Sequence, residues 1–163
     1  MKRIGIISDT HAHWDDRYAV HFAQCDEIWH AGDIGSEAVL DRLEGIAPVR
    51  AVCGNTDGGV LRRRCREVEC FTVEGVKVWM THIGGYPGRY APGVAAVLAR
   101  ERPQIFVSGH SHILKVMHDP RLGLLHINPG AAGLQGWQKV RTLVLLTLDA
   151  GEIRDCEVVE LSW

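Results

Sequence analysis

No apolar run in the 163-residue chain approaches the roughly 20 residues that a bilayer-spanning helix requires. Positive charge is not in surplus either. Eighteen Lys and Arg stand against 20 Asp and Glu, for a net charge of −2, so no basic field points to a nucleic-acid polymer or an anionic membrane surface. Cysteine is scarce and unpatterned: Cys25, Cys53, Cys65, Cys70 and Cys156 are odd in number and contain no Cys-x-x-Cys. That composition reads as small buried hydrophobes in a reducing compartment, with Cys53 turned into a sheet, rather than as a disulfide framework. There is no linker, repeat or low-complexity tract. No signal-peptide apolar region precedes the first strand-like segment, so a cytoplasmic location is expected. The length fits one domain over residues 1–163 with a full core.

What the chain does have is five polar clusters, each directly behind a short apolar run. Asp9-Thr10-His11 follows Ile4 to Ser8, and Gly32-Asp33 follows Glu27 to Ala31. Gly54-Asn55 follows Val49 to Cys53, His82 follows Val76 to Thr81, and Gly109-His110-Ser111-His112 follows Ile105 to Ser108. The anchors Asp9, Asp33, Asn55, His82 and His110 lie 24, 22, 27 and 28 residues apart, near the length of one strand plus its return. In open α/β sheets ligands bind beyond the carboxyl ends of the strands, and all five clusters occupy such ends.

The elements between them are legible. Residues 15–24 form a helix with Tyr18, Val20, Phe22 and Ala23 as its apolar material. Residues 36–44 open on Ser36 as a cap and carry Val39, Leu40 and Leu43 at helical spacing. Residues 92–102 carry Val94, Val97 and Leu98 and stop before Pro103. Residues 71–80 read as a hairpin turning at Glu74-Gly75, residues 113–117 and 124–127 as short strands, and 141–148 with 153–161 as a final pair. The expected fold is α/β (α+β): two mixed sheets packed as a sandwich with helices outside, an α/β/β/α order of layers.

The clusters supply two carboxylates (Asp9, Asp33), one amide (Asn55) and four imidazoles (His11, His82, His110, His112), and no thiolate. Mixed nitrogen and oxygen ligation favours Mn²⁺, Fe²⁺, Co²⁺, Ni²⁺ or Zn²⁺, and not a structural zinc. Seven ligands exceed the need of one ion and suit two, about 3.5–4 Å apart. If the turns behind the strands curl, both members of each Asp-x-His or His-x-His pair reach the same cavity.

This ordered set (Asp-x-His, Gly-Asp, Gly-Asn, His, Gly-His-x-His) resembles the calcineurin-like metallophosphoesterases. The compact size, Gly54-Asn55-Thr56-Asp57 and the Asn128-Pro129-Gly130 loop look like the small bacterial and archaeal phosphodiesterase branch. The resemblance implies two divalent ions, Mn²⁺ first among them. Asp9, His11, Asp33 and His112 would hold one; Asn55, His82 and His110 would complete the other, with Asp33 as bridge. It also implies hydrolysis of a small phosphodiester by a metal-bridging hydroxide, with Asp33, Asn55 and His82 acting through the metals. Many relatives place a histidine directly after the asparagine to assist the leaving group. Here that position is Thr56, which cannot act as an efficient general acid near neutral pH. A preference for diesters or activated phosphates over alkyl monoesters follows. Asp57 reads as a group that orients the Asn55 loop.

The remaining polar residues divide into structural and substrate-facing expectations. His13 and His21 read as surface or helix residues, His118 and His126 as partly buried strand residues, and His30 as a strand residue near the site. Arg62 to Arg66 reads as a solvated face, with a phosphate clamp as the alternative. Gly84 to Tyr90 is too rich in glycine for a strand and reads as a loop or substrate-side lid, from which Arg89 would contact substrate. Trp29 and Trp79 belong to the core. A sandwich with free edges can form a homodimer, for which the end strands near Trp163 offer a surface. Two other readings stand beside the diesterase: a phosphomonoesterase or nucleotidase, and a non-catalytic scaffold on the same fold. Retention of all seven ligand positions weighs against the scaffold.

Overall fold

Residues 1–163 are all described by the computed structural model. The first strand, β1 (Lys2–Ile7), explains the layering by its alternation. Ile4 and Ile6 face one side and Gly5 and Ile7 the other. A side chain at Gly5 would overlap the ring of Phe22, so glycine lets the next helix lie flat on the strand. That helix, α1 (Asp16–Phe22), is capped by Asp15, which accepts from the Arg17 N–H. It buries Tyr18 and Phe22, one turn apart. Val20 was expected among its apolar contacts but is 70% exposed, because it lies on the opposite side of so short a helix.

The chain then alternates strand and helix through β2 (Glu27–His30), α2 (Glu37–Glu44), β3 (Val49–Ala51) and α3 (Val60–Arg64). Ser36 caps α2, its hydroxyl accepting from the Val39 N–H at 3.4 Å. The sequence reading missed α3 because its arginines hide the single buried residue of the turn, Leu61. The second half follows as β4 (Val68–Val73), β5 (Val76–Thr81), β6 (Gly85–Tyr86), β7 (Arg89–Tyr90), α4 (Val94–Glu101), β8 (Ile105–Val107), β9 (Lys115–Asp119), β10 (Leu124–Asn128), β11 (Arg141–Asp149) and β12 (Glu152–Leu161). Arg102, at φ 52°, ends α4 in the left-handed region just before Pro103. The segment Gly84 to Tyr90, expected to be too glycine-rich for strand, closes a miniature hairpin, β6 pairing with β7. Its glycines supply the positive φ of the turn instead of breaking it: Gly85 and Gly88 stand at 73° and 88°.

Two five-stranded sheets result, ordered β12-β11-β1-β2-β3 and β4-β5-β8-β10-β9. In the first sheet β1, β2 and β3 run parallel out to the β3 edge and β11 and β12 pair antiparallel on the other side; in the second, β5, β8 and β10 run parallel between the antiparallel edges β4 and β9. Ile6, Trp29, Met80, Val107, Ile127 and Val144 belong to the core between the sheets. Helices α1, α2 and α3 cover the outer face of the first sheet. Helix α4 packs on Trp79, Phe106 and Leu124 of the second. This is the expected α/β/β/α order. All five cysteines are free; Cys70 is exposed, contrary to the expectation of burial. No helix is long and apolar enough to cross a membrane.

One buried cation ties the chain ends together. Arg141, 1% exposed, donates to the carbonyls of Ala132 and Ser162 and to the Asp15 carboxylate. Hydrogen bonds from Arg17, and from Arg141 behind it, hold Asp15 well below the usual carboxylate range. The folded value lies under the unfolded one, so the pair contributes stability above about pH 4 and loses it as pH falls further. Asp15→Ala should cost about 3 kcal/mol in urea denaturation at pH 7 through the lost cap and the unpaired guanidinium. A loss below about 0.5 kcal/mol would show that the Ala132 and Ser162 carbonyls alone satisfy Arg141.

Candidate metal centre

Both sheets present the carboxyl ends of their parallel strands along one edge, and each candidate ligand lies there. Asp9 and His11 follow β1, Asp33 follows β2, Asn55 follows β3, His82 follows β5, and His110 and His112 follow β8. The turns do curl. Asp9, His11, Asp33, His110 and His112 all have positive φ, between 43° and 73°. Non-glycine residues adopt that region at a cost on the order of 1 kcal/mol or more, and only where the surroundings compel it. Here the loops are laced to one another beyond the sheets. The Asp9 and His11 N–H groups donate to the Gly32 and Asp33 carbonyls, and the Gly109 N–H to the His82 carbonyl, each at 3.0 Å.

The side chains form two triads whose ligand atoms lie within 4.8 Å of one another: Asp9, His11 and His112, then Asp33, His82 and His110. The triads adjoin. His11 Nε2 is 3.6 Å from Asp33 Oδ2 and 3.4 Å from His112 Nε2, and His82 Nε2 is 3.8 Å from Asp9 Oδ1. Asn55 joins the second triad through Oδ1, 3.1 Å from His110 Nδ1. All seven residues singled out in the sequence therefore meet in one place.

Each carboxylate is divided in the same way. Asp9 Oδ2 accepts from the Ser8 hydroxyl and the His110 N–H, while Oδ1 is buried without a hydrogen-bond partner. Asp33 Oδ1 accepts from the Thr56 N–H, and Oδ2 faces His82 and His11. The imidazoles are divided too. His82 Nδ1 donates to the Ala31 carbonyl at 2.7 Å, leaving Nε2 buried and unpartnered. His112 Nδ1 faces the Gln138 side-chain oxygen at 3.0 Å, leaving Nε2 3.2 Å from Asp9 Oδ1. A neutral ring would then point a lone pair at an anionic oxygen, which is repulsive unless a cation stands between them or the ring is protonated. Electrostatics favours the charged state. Burial opposes charge on His82, but the Asp33 oxygen 3.2 Å away and the charge of Asp9 outweigh it and raise the ring above its ordinary value. Asp9, with Oδ1 3.2 Å from His112 Nε2, does the same for His112. For Asp33, burial pushes the carboxyl up, but the nearby His82 ring and the Thr56 N–H overcome it and hold the carboxyl well below its usual range. A set of buried oxygen and nitrogen donors that all want positive charge fits divalent cations.

Several further residues support the ligands. His30 is fully buried: Nδ1 accepts from the Gly32 N–H, so Nε2 donates to the Thr10 hydroxyl, which donates on to the Ile34 carbonyl. Burial pushes its value down to about 4, keeping the ring neutral in this role. Asp57 accepts from the N–H groups of Ile34, Gly35 and Gly54, locking the Asp33 loop to the Asn55 loop as expected. Asn128 donates to the Gly109 carbonyl and the Ser111 hydroxyl, bracing the Gly-His-x-His turn. Gln138, 26 residues from His112, carries no local signal at all. Two glycines clear space for ligands of other loops. A side chain at Gly54 would overlap the Asp33 carboxylate, and one at Gly109 would meet Ser8 Oγ and Asp9 Oδ2.

The arginines are mostly structural. Arg62 donates to the Asp57 and Gly54 carbonyls, fastening the Asn55 loop from behind, and Arg64 pairs with Glu37, Asp41 and Glu44 of α2. Arg89, on β7, has no carboxylate partner and lines a cleft whose far wall includes His110.

Comparison with known proteins agrees with this geometry. The family model of the calcineurin-like phosphoesterase superfamily domain matches residues 1–151. A probable metallophosphoesterase of Methanothermobacter thermautotrophicus is 30% identical, over 96% of this chain and 91% of its own length. Among solved structures, a novel archaeal phosphodiesterase superposes with a TM-score of 0.77 at 23% identity, covering 98% of this chain and 99% of its own. Wild-type Vps29 of Entamoeba histolytica, solved in complex with zinc, gives 0.72 at 20% identity, with 97% and 98% covered. At such identities the two structures attest the fold alone. The family match and the archaeal relative go further: the chain belongs to the calcineurin-like phosphoesterase superfamily, as its strand-end motifs lead one to expect.

Proposed function

We propose that the chain is a metal-dependent phosphodiesterase for small diesters, using two divalent ions with Mn²⁺ foremost. Family membership makes phosphoester hydrolysis the class of reaction. In this reading Asp9, His11, Asp33 and His112 would hold one ion, and Asn55, His82 and His110, together with Asp33, would hold the other. Bound there, the ions supply an activated water at neutral pH and neutralise charge on the phosphoryl oxygens. The observation that carries the reading is the pair of buried, unpartnered atoms Asp9 Oδ1 and His82 Nε2 at the junction of the triads. Leaving both unmet would be costly in a site whose only purpose was packing.

The protein's own contribution is positioning. The Ala31 carbonyl and Gln138 fix the rings of His82 and His112 so that Nε2 of each faces inward. Thr56 lends its N–H to Asp33 and stands where many relatives carry a proton donor. The leaving group must then depart largely unprotonated, which favours diesters and activated esters over alkyl monoesters. A scaffold role is the second reading, prompted by the likeness to Vps29; the complete ligand set and its orphaned atoms speak against it.

Initial rates on bis-p-nitrophenyl phosphate and p-nitrophenyl phosphate, with chelator-treated protein titrated by Mn²⁺, test the proposal. Saturable diester cleavage exceeding monoester cleavage is expected, and Asp33→Asn should lower it more than about 100-fold. No turnover with Mn²⁺, Ni²⁺, Co²⁺ or Zn²⁺ would favour the scaffold. Mn²⁺ at about 100 times its dissociation constant should stabilise the chain by about 2.7 kcal/mol, seen as a rise in Tm. That rise should grow from about pH 6 to pH 8, because protons compete for His82 and His112. Gln138→Ala should weaken metal binding about tenfold while leaving the metal-free Tm nearly unchanged; equal affinity would remove Gln138 from any role in orienting His112. Across aryl diesters, rates should fall steeply as the leaving phenol becomes more basic, and Thr56→His should flatten that slope. Equal rates for good and poor leaving groups in the wild type would discard the significance given to Thr56.

A further inference from the structure

Beside the metal centre lies a cleft of about 220 Å³, walled by the β6–β7 hairpin on one side and by the His110 to Lys115 segment on the other. It shares His110 with the second triad, so whatever fills it adjoins the reacting phosphorus. It is smaller than the roughly 300–1,000 Å³ of a pocket that engulfs a drug-sized ligand, so it suits one arm of a substrate. The hairpin is held in place at both ends. Tyr90 donates to the Asp119 carboxylate at 2.6 Å, and the Lys115 ammonium rests 3.6 Å from the centre of the Tyr86 ring.

The lining is one-sided in charge. Arg89 and Lys115 both reach the cleft, neither has a carboxylate partner, and no Asp or Glu lines the walls. An aromatic ring is the only partner of the Lys115 ammonium, whose N–H donors are left without an acceptor. His126 forms part of the floor and is 1% exposed, more deeply buried than its sequence position suggested. Its Nδ1 donates to the Phe106 carbonyl and its ring stacks on Phe106, while Nε2 has no partner. Burial pushes His126 down to about 4, so the ring is neutral and Nε2 is a free acceptor. The cleft thus offers two cations and no carboxylate.

We propose that this cleft seats the non-reacting arm of the diester, and that the arm carries a second phosphate held between Arg89 and Lys115. A phosphate monoester dianion matches two unpaired cations, whereas a carboxylate would leave one of them uncompensated. The preferred substrates are then small diesters with a terminal phosphate, such as nucleoside bisphosphate esters. This assignment rests on the diesterase reading.

The test compares thymidine 5′-(p-nitrophenyl phosphate) with the same ester bearing a 3′-phosphate, in Mn²⁺-loaded full-length protein. The chromophore and scissile bond are identical. The phosphorylated ester should have a kcat/KM about tenfold higher, mostly through KM, and the advantage should shrink in about 0.3 M NaCl. Lys115→Met should bring the ratio of the two esters close to one, and Lys115→Arg should restore it. Equal kcat/KM for the two esters in the wild type, or a Lys115→Met variant that slows both alike, would overturn the proposal. Should neither ester turn over, the diesterase reading fails first, and calorimetric titration with thymidine 3′,5′-bisphosphate decides the cleft separately. Binding weakened about tenfold by Lys115→Met keeps the second-phosphate site; absent binding, or binding indifferent to the variant, rejects it.

Discussion

Two buried carboxylates that each keep one oxygen uncommitted impose the central constraint on this structure. Asp9 and Asp33 are anchored by protein donors through one oxygen and present the other to imidazole nitrogens whose protons are engaged elsewhere. Such an arrangement repels itself without a cation, and the loops alone would relax away from it. It persists because the backbone around it is over-determined: loop-to-loop hydrogen bonds, a neutral buried His30 and the three-way acceptor Asp57 hold residues in left-handed conformations they would otherwise leave.

The sandwich exists, in this sense, to bring the ends of parallel strands from two separate sheets to one edge. Either sheet alone would supply an incomplete set. The first gives Asp9, His11, Asp33 and Asn55; the second gives His82, His110 and His112. The core between the sheets, with Trp29 and Met80 each a few residues ahead of a ligand, sets the distance between the two halves. Packing therefore has a chemical consequence, because each triad draws ligands from both sheets and can close only at the spacing the core sets.

The parts of this arrangement that were legible in the sequence are those with a local cause. Apolar runs ending in Asp, Asn or His marked the strand ends, Ser36 marked a helix start, and Pro103 marked a helix stop. Glu74-Gly75 marked a hairpin. The parts that were not legible depend on contacts far apart in the chain. Gln138 meets His112 only because a loop returns across the site. His126 is buried because β10 lies between β8 and β9 and the ring stacks on Phe106, and the β6–β7 hairpin came from a segment whose glycines argued against strand. Val20 faces solvent because α1 is two turns long and offers its sheet only Tyr18 and Phe22. The run from Arg62 to Arg66 is the solvated face expected, yet it concealed a helical turn, because Arg62 also reaches back to the Asp57 and Gly54 carbonyls and Arg64 to α2.

The glycines that precede the ligands carry a consequence of their own. Gly54 makes room for Asp33 and Gly109 makes room for Asp9, so the vacancy and its occupant belong to different loops. Any residue gained at either position would be felt first across the site, as a displaced carboxylate, and only secondarily in its own turn. Variation in such a protein is not modular. A loop cannot be exchanged for that of a relative unless the loop facing it is exchanged as well, and a route by which new specificity could evolve runs through the hairpin at Gly85–Tyr90, which none of the seven ligand side chains needs for its space.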